Sequence, residues 1–521
     1  MNFNRNEALK NLSTIPEWDI VIIGGGATGL GTALDAASRG YKTLLIEKYD
    51  FAKGTSSKST KLVHGGVRYL ANGDIKLVLS ALKERGLIFK NAPHVSFVQS
   101  FVIPSYSIFN KLKFLIGLKL YDWMAGKLRI GKSTLLSKET VIEKLPKIKT
   151  KGLIGGVQYY DGQFDDARLA LNLGQTAAEQ GATILNYTEA KSIEKDVNGK
   201  VIGLTFVDTE TNESYSVKSK AIINATGIFV DDILKLDTPT HKNLVRPSQG
   251  AHIVIDKKFL GNEDALMIPE TSDGRVLFGV PWHGKVLLGT TDTPLNAHQI
   301  EPRPLEEEIA FILSTANDYL EHAPTRKDVL SIFAGLRPLA APTAGNENST
   351  KEISRDHKLI KSDSNLVTIT GGKWTTYRKM AEETVDMAIK AGKLAPSPCR
   401  TTDLHIHGFT HDKREGHWQM YGTDTDKIQA LAKESPALAE KLHQDHEYIA
   451  AEVIWACRHE MVVKVEDFLA RRIRLLLLDA EASLAVAPKV AELMATELDK
   501  DQTWIDEELL SYQKLVANYM L

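Results

Sequence analysis

A short apolar run at residues 20–23 leads into three glycines, Ala27–Ser38 has the look of a helix, and Thr43–Ile46 is a second apolar run that ends at Glu47. Continuous short apolar runs suit strands buried on both faces, and strand–helix–strand at this spacing is a βαβ unit. The pattern predicts the start of a doubly wound α/β domain. Helical periodicity follows over 165–180, with strands expected around 182–187 and over Val201–Asp208. Residues 221–224 form another apolar strand, ending in Asn224-Ala225-Thr226-Gly227. The stretch 246–293 is strand-rich, and 275–280 and 285–290 flank Pro281-Trp282-His283-Gly284 as a hairpin. A strand at 366–370 ends in Gly371–Gly372, before a helix running to about residue 390. Beyond the proline-bearing 394–398 the character changes, and from about 424 a separate helical domain is predicted.

With 521 residues, two to four domains are expected. A net charge of −2 removes any global argument for nucleic-acid binding, so attraction for anions must be local. Cys399 and Cys457 are far apart, which argues against a disulfide framework or zinc site and suits a reducing cytosol. His405 and His407 alternate without a third ligand nearby, so no metal is expected. The first 19 residues hold no apolar core of signal-peptide length, and no run reaches the roughly 18 apolar residues of a membrane span. A cytoplasmic location follows as the expectation.

Gly24-Gly25-Gly26-Ala27-Thr28-Gly29 fits G-x-G-x-x-G between strand and helix. Gly24 permits the tight turn, Gly26 lets the backbone approach a pyrophosphate, and Gly29 lets helix and strand pack closely. The helix N-terminus then offers free N–H groups to the phosphates. Glu47, at the end of the next strand, is placed to accept ribose hydroxyls, which disfavours NADP and leaves NAD and FAD open. The glycine-ended strands at Gly227 and Gly372 favour FAD, whose pyrimidine end gains negative charge on reduction and is stabilised by a helix N-terminus.

Behind Glu47 lies TSSKSTKLVHGGVRYL, residues 55–70, within a run from Phe51 to Gly73 that lacks any acid. A solvated face would mix both signs of charge, so this run reads as wrapped around an anion.

Together these segments resemble the FAD-dependent glycerol-3-phosphate dehydrogenases of the aerobic, respiratory type. The resemblance rests on IGGGATGLGTALDAASRG (23–40), SSKSTKLVHGGVRYL (56–70), GRVLFGVPWHGKVLLGTTDT (274–293), FAGLRPL (333–339), GGKWTTYRKMAEE (371–383) and the helical tail around 451–480. It implies a doubly wound, Rossmann-like FAD-binding domain of the glutathione-reductase/D-amino-acid-oxidase type, a β-rich substrate domain and a C-terminal helical domain. The expected partition is 1–75 with 151–235 and 331–392 for FAD, 76–150 with 236–330 for substrate, and 393–521 for the helices. The implied reaction is oxidation of sn-glycerol 3-phosphate to dihydroxyacetone phosphate, with electrons passed from FAD to membrane quinone.

Cofactor contacts are expected from Gly24, Gly26, Gly29, Glu47, Thr55, Ser56, Ser57, Gly227, Gly372, Thr375 and Thr376. For Thr375 and Thr376, helix capping competes with flavin contact. Arg68 and Tyr69 are the expected substrate contacts of the acid-free run, since a guanidinium matches phosphate oxygens bidentately. A surface salt bridge is the alternative for Arg68, and solvent exposure is expected for Lys58. Arg337 lies in an acid-free apolar run and needs either a bound phosphate or a carboxylate from elsewhere in the fold. The resemblance places it in the substrate site. Lys373 opposes a helix dipole, which calls for an anion. A base must take the hydroxyl proton, and histidine fits by its pKa. His64 and His252 both lie in motif segments, His252 is the favoured candidate, and a hydrogen-bonded core histidine is the alternative for either.

Residues 103–132 carry six basic side chains against Asp122, a balance of +5, interspersed with Phe114, Leu115, Ile116, Trp123 and Met124. That composition suits peripheral attachment to an anionic inner membrane face, with burial in the protein's own core as the alternative. A homodimer is compatible with the sequence. The rival readings are an NAD-linked dehydrogenase, a flavoprotein sensor, and a glycerol-3-phosphate oxidase that reduces oxygen to hydrogen peroxide.

Overall fold

The computed structural model describes residues 3–67, 74–271, 274–340 and 357–521. The predicted βαβ unit forms where the pattern placed it, with strands Trp18–Ile23 and Thr43–Ile46 around the helix Ala27–Ser38. These strands are buried because both faces are covered: Ala27–Ser38 packs with Asp166–Glu179 and Tyr377–Ala391 over one side, and a second apolar cluster, which includes Leu204, Phe206 and Ile233, fills the other. The parallel order is Val367–Gly371, Ser214–Asn224, Trp18–Ile23, Thr43–Ile46, Thr183–Leu185, with His357–Lys361 antiparallel at the edge. Thr188–Lys195 and Val201–Asp208 extend Ser214–Asn224 as an antiparallel ribbon.

A second sheet of 10 strands stands beside the first. Its axis is the long pair Val245–Asp256 and Val329–Ala340, with the predicted hairpin present as Leu277–Trp282 and Lys285–Gly289. The sheet also takes Leu62–Val63 and Gly155–Phe164, which pair with each other, and Gly155–Phe164 pairs with Ser96–Ser105. The expected partition had assigned 62–63, 155–164 and the strand from 331 to the FAD segments. They join the second sheet instead, because their backbone groups complete its ladders: 62–63 on 155–164, 155–164 on Ser96–Ser105, and the strand from 329 on Val245–Asp256. An apolar run by itself does not say which ladder it will join.

The C-terminal helices Ala450–His459, Ala480–Leu498 and Gln502–Val516 surround a core that includes Val254, Trp282, Leu287 and Phe333 of the second sheet. Ion pairs tie the C-terminal region to the side of the first sheet. Arg471 and Arg472 both reach the buried carboxylate of Asp50, Arg168 meets Glu460, and Arg474 meets Asp166.

Candidate active site

Ile23 pairs with Asn224 on one side and with Ile46 on the other, so Gly24, Ala225 and Glu47 leave the sheet at the same edge. This is the crevice at the carboxyl ends of parallel strands where ligands of doubly wound sheets bind. Gly29 is forced: a Cβ there would lie 1.8 Å from the Gly24 carbonyl oxygen. Gly24 itself has φ +112°, a conformation that L side chains rarely adopt. Ser56 braces the turn, its Oγ accepting from the Ala27 N–H at 2.9 Å while Trp374 Nε1 donates to its carbonyl at 2.8 Å. The Glu47 carboxylate accepts from the N–H groups of Gly25 and Tyr49 at 2.5 and 2.9 Å. Burial pushes its carboxyl up, and those two N–H groups oppose the shift.

From Glu47 a cavity of about 420 Å³ runs past Gly24, Gly26, Thr55 and Gly227 to residues 370–374. A second, of about 330 Å³, begins at 370–374 and continues between His64, His252, Thr290, Arg337 and Thr375. The first is long, walled by glycines, and closed by a carboxylate at one end and a helix start at the other. That cradle fits an extended dinucleotide, with the redox end at the junction of the two cavities.

The floor of the second cavity follows from strand register. His252 lies opposite Phe333, Gly250 opposite Gly335, and Ser248 opposite Arg337. Every second residue shares a face, so Arg337 and His252 look the same way with the glycine pair between them. A Cβ at Gly250 would come within 2.4 Å of Arg337 Nη2, and one at Gly335 within 2.8 Å of the Lys58 carbonyl. The glycines therefore make the hollow, and the Arg337 side chain lies back across it towards His252. Arg337 donates to Thr290 Oγ1 and the Thr291 carbonyl at 3.1 Å, and Asp292 Oδ1 is 3.4 Å from it. Of the two expected answers for Arg337, the carboxylate from elsewhere in the fold is present as Asp292, and the side chain also lines the cavity.

His252 is 2% exposed. Its Nε2 is 2.9 Å from Thr60 Oγ1, and its ring stacks on Phe333 at 4.9 Å. The buried Nδ1 has no hydrogen-bond partner among the described residues. Burial holds the imidazole well below the ordinary histidine value, and the cations of Lys61 and Arg337 add to this. His64 also lines the cavity, held through its backbone N–H, which donates to Thr375 Oγ1 at 3.2 Å.

Several expectations change. Lys58 is 5% exposed rather than solvated, donating to the Ile300 carbonyl at 3.1 Å and paired with Glu301. Lys61 is fully buried on Asp166 at 2.7 Å, and burial draws its ammonium down to about 7 although Asp166 opposes the shift. Lys58 and Lys61 thus meet the protein's own carboxylates, because a buried ammonium must find a partner wherever the fold offers one. Ser57 lines neither cavity; its carbonyl accepts from Lys61 Nζ at 2.6 Å. Thr376 also lines neither, and its hydroxyl donates to the Lys373 carbonyl instead of capping the helix. Gly372 and Lys373 do stand at the cavity junction, and Thr375 lines the second cavity. Arg68 and Tyr69 lie outside the described residues.

Residues 19–386 match the FAD dependent oxidoreductase family, and 362–504 match the C-terminal domain of alpha-glycerophosphate oxidase. A mitochondrial glycerol-3-phosphate dehydrogenase of Arabidopsis thaliana is 38% identical over 96% of this chain and 86% of its own. This chain belongs to the FAD-dependent glycerol-3-phosphate dehydrogenase family. The corresponding Mus musculus enzyme is 39% identical over 97% of this chain and 74% of its own. Among solved structures, glycerol-3-phosphate dehydrogenase from Bacillus halodurans, complexed with FAD, is 29% identical and superposes with a TM-score of 0.81 over 99% of this chain and 98% of that one. As a member of this dehydrogenase family the protein is a flavoprotein oxidoreductase, and FAD is its cofactor.

Sequence reasoning missed Thr60, Asp166, Trp374 and Arg474. For Arg474 a signal was present. Arg471, Arg472 and Arg474 sit in LARRIRLLLL, cations among apolar neighbours, and the same argument that singled out Arg337 applies to them.

Proposed function

We propose that this protein oxidises sn-glycerol 3-phosphate to dihydroxyacetone phosphate and that its electrons go to a membrane quinone. The observation that carries the reading is the second cavity, where the cations Arg337 and Lys373 and the histidines His64 and His252 line a hollow that opens onto the cofactor cavity at 370–374. Bound FAD supplies the acceptor for the hydride leaving the alcohol carbon and hands the electrons on. Arg337 and Lys373, with Arg68 and Tyr69 from the adjoining segment, hold the phosphate. His252, kept neutral by its surroundings, takes the hydroxyl proton, and a buried polar atom without a partner, its Nδ1, is the kind of group a substrate completes. A phosphate dianion beside Arg337 offsets the cations that depress the ring, so substrate binding strengthens the base.

Anaerobic addition of glycerol 3-phosphate is expected to bleach the flavin, whereas unphosphorylated glycerol leaves it oxidised. In stopped flow the reduced enzyme then reoxidises faster with a ubiquinone or menaquinone analogue than with air-saturated buffer. Stoichiometric hydrogen peroxide with oxygen as the faster acceptor would make the protein an oxidase.

Quinone dissolves in the bilayer, and the exposed surface suits a bilayer. Among the described residues no helix is long and apolar enough to cross a membrane. The helix Ile108–Ala125 buries Leu118, Tyr121 and Ala125 against the protein. Its other face exposes Ile108 and Phe109 at 71% and 75%, Ile116 at 70% and Trp123 at 78%, with Leu112 and Leu120 between them. At 100° per residue these six fall in one stripe about 120° wide. Lys113 and Lys119 lie at its margins, which suits peripheral attachment to anionic lipid. Co-sedimentation with liposomes should rise with anionic lipid content, fall with salt, and be lost when Ile116 and Trp123 are both replaced by Ser. Binding that survives the double replacement places the interface elsewhere.

A further inference from the structure

We propose that Arg474, supplied by the C-terminal helical domain, is a positioning residue for His252, acting through Asp166 and residues 57–61; this rests on the reading of His252 as the base. Arg474 is fully buried and holds φ +67° at the bend between the Asp467–Arg472 turn and the Leu475–Leu478 helix. A non-glycine residue in this left-handed region is unfavourable. What the bend achieves is to send the guanidinium across the interface. Its Nη2 donates to Asp166 Oδ1 at 2.6 Å and to the Ser57 carbonyl at 3.3 Å, its Nη1 donates to the Ala470 carbonyl at 3.2 Å, and its Nε is 3.5 Å from Asp165 Oδ1.

Asp166 is the node. Its Oδ2 accepts from the N–H and hydroxyl of Ser59 at 3.2 and 2.6 Å, and from Lys61 Nζ at 2.7 Å. The two neighbours of Thr60 are therefore clamped to one carboxylate, and a further bond from Lys61 N–H to Ser59 Oγ at 3.0 Å closes the turn. Thr60 is left with its hydroxyl 2.9 Å from His252 Nε2. The hydrogen bond made by one ring nitrogen sets the tautomer and the orientation of the other. Thr60 thus leaves Nδ1 as the nitrogen free to meet a hydroxyl. The ring's remaining freedom is removed by Phe333 on one face and by Gly289, where a Cβ would come within 2.2 Å of Cδ2. Arg474 neutralises Asp166 together with Lys61; without it the node loses one of its cations and a direct tie between this turn and the helical domain. A displacement of about 1 Å in a catalytic group can lower a rate by roughly 10².

The test uses FAD-loaded full-length protein and compares wild type, His252→Gln, Arg474→Met, Arg474→Lys, Thr60→Val and the Arg474→Met/Thr60→Val pair. The rate constant for flavin reduction at saturating glycerol 3-phosphate should fall about 10-fold or more in Arg474→Met and in Thr60→Val. The dissociation constant for substrate should change less than about 3-fold, and Arg474→Lys should recover part of the rate. The pair should be no slower than the worse single variant, because both act along one route. Hydrogen–deuterium exchange of a peptide covering 55–64 should quicken in Arg474→Met, a readout independent of turnover. Wild-type reduction rates in Thr60→Val, or effects of the two substitutions that multiply, overturn the proposal even while His252→Gln is slow. If Arg474→Met does not load FAD, the rates of Thr60→Val and Arg474→Lys decide it. Wild-type reduction by His252→Gln removes the base assignment and the proposal with it.

Discussion

Replacing Arg337 by Ala is expected to lower kcat/KM for glycerol 3-phosphate by about 10²-fold or more, the loss of a charge-assisted contact worth about 3 kcal/mol. The size of the effect follows from the site. The guanidinium spans the glycine-floored hollow, and its neighbours Thr290 and Thr291 fix it through neutral oxygens that leave its charge in place. Asp292 Oδ1 lies 3.4 Å from the guanidinium, longer than a tight bidentate contact, which a phosphate could make with it. Arg337→Lys should recover only part of the efficiency, because an ammonium cannot make the planar two-point contact. FAD content and thermal midpoint should stay near wild type, since the side chain lies in the cavity rather than in the core. Unchanged efficiency in the folded, FAD-loaded Ala variant removes Arg337 from the phosphate site.

The largest effect on stability is expected at Asp50, where Asp50→Ala should cost about 3 kcal/mol in chemical denaturation. Asp50 is 0% exposed and accepts from Arg472 Nη1 and Nη2 at 2.7 and 3.0 Å, and from Arg471 Nε. Removing the carboxylate leaves Arg472 buried with the Glu460 carbonyl at 2.7 Å as its nearest acceptor. The pH dependence has a definite sign. Burial alone would raise the Asp50 carboxyl, but Arg472 and Arg471 more than offset it and hold the group well below the usual carboxylate range. A depressed folded-state value contributes stability above the unfolded value of about 3.9, and the contribution disappears as pH falls through the folded one. The deficit of Asp50→Ala should therefore be full at pH 7 and shrink below about pH 4. A deficit that is the same at both pH values would show that Asp50 acts through packing and not through its charge.

The local sequence determined the FAD-binding half of the molecule closely. Strand Thr43–Ile46 and helix Ala27–Ser38 occur with the bounds read from the pattern, the hairpin around Pro281-Trp282-His283-Gly284 is present, and Gly24, Gly26 and Glu47 line the cofactor cavity. These features are legible because a glycine turn, a 3.6-residue period and a run of buried residues are each set by near neighbours in the chain. The partners of the charges were not legible. Lys58 looked solvated until the fold brought Glu301 to it, and the C-terminal domain had no assigned role until Arg472 and Arg474 were found on Asp50 and Asp166. Those pairs join residues 243, 422 and 308 positions apart. A chain can show that a cation is surrounded by apolar neighbours and must be answered. Which carboxylate answers it depends on how sheets and helices stack, so the tertiary structure alone decided that Lys58 and Lys61 are held by the protein's own acids and that the second cavity is floored by Gly250 and Gly335.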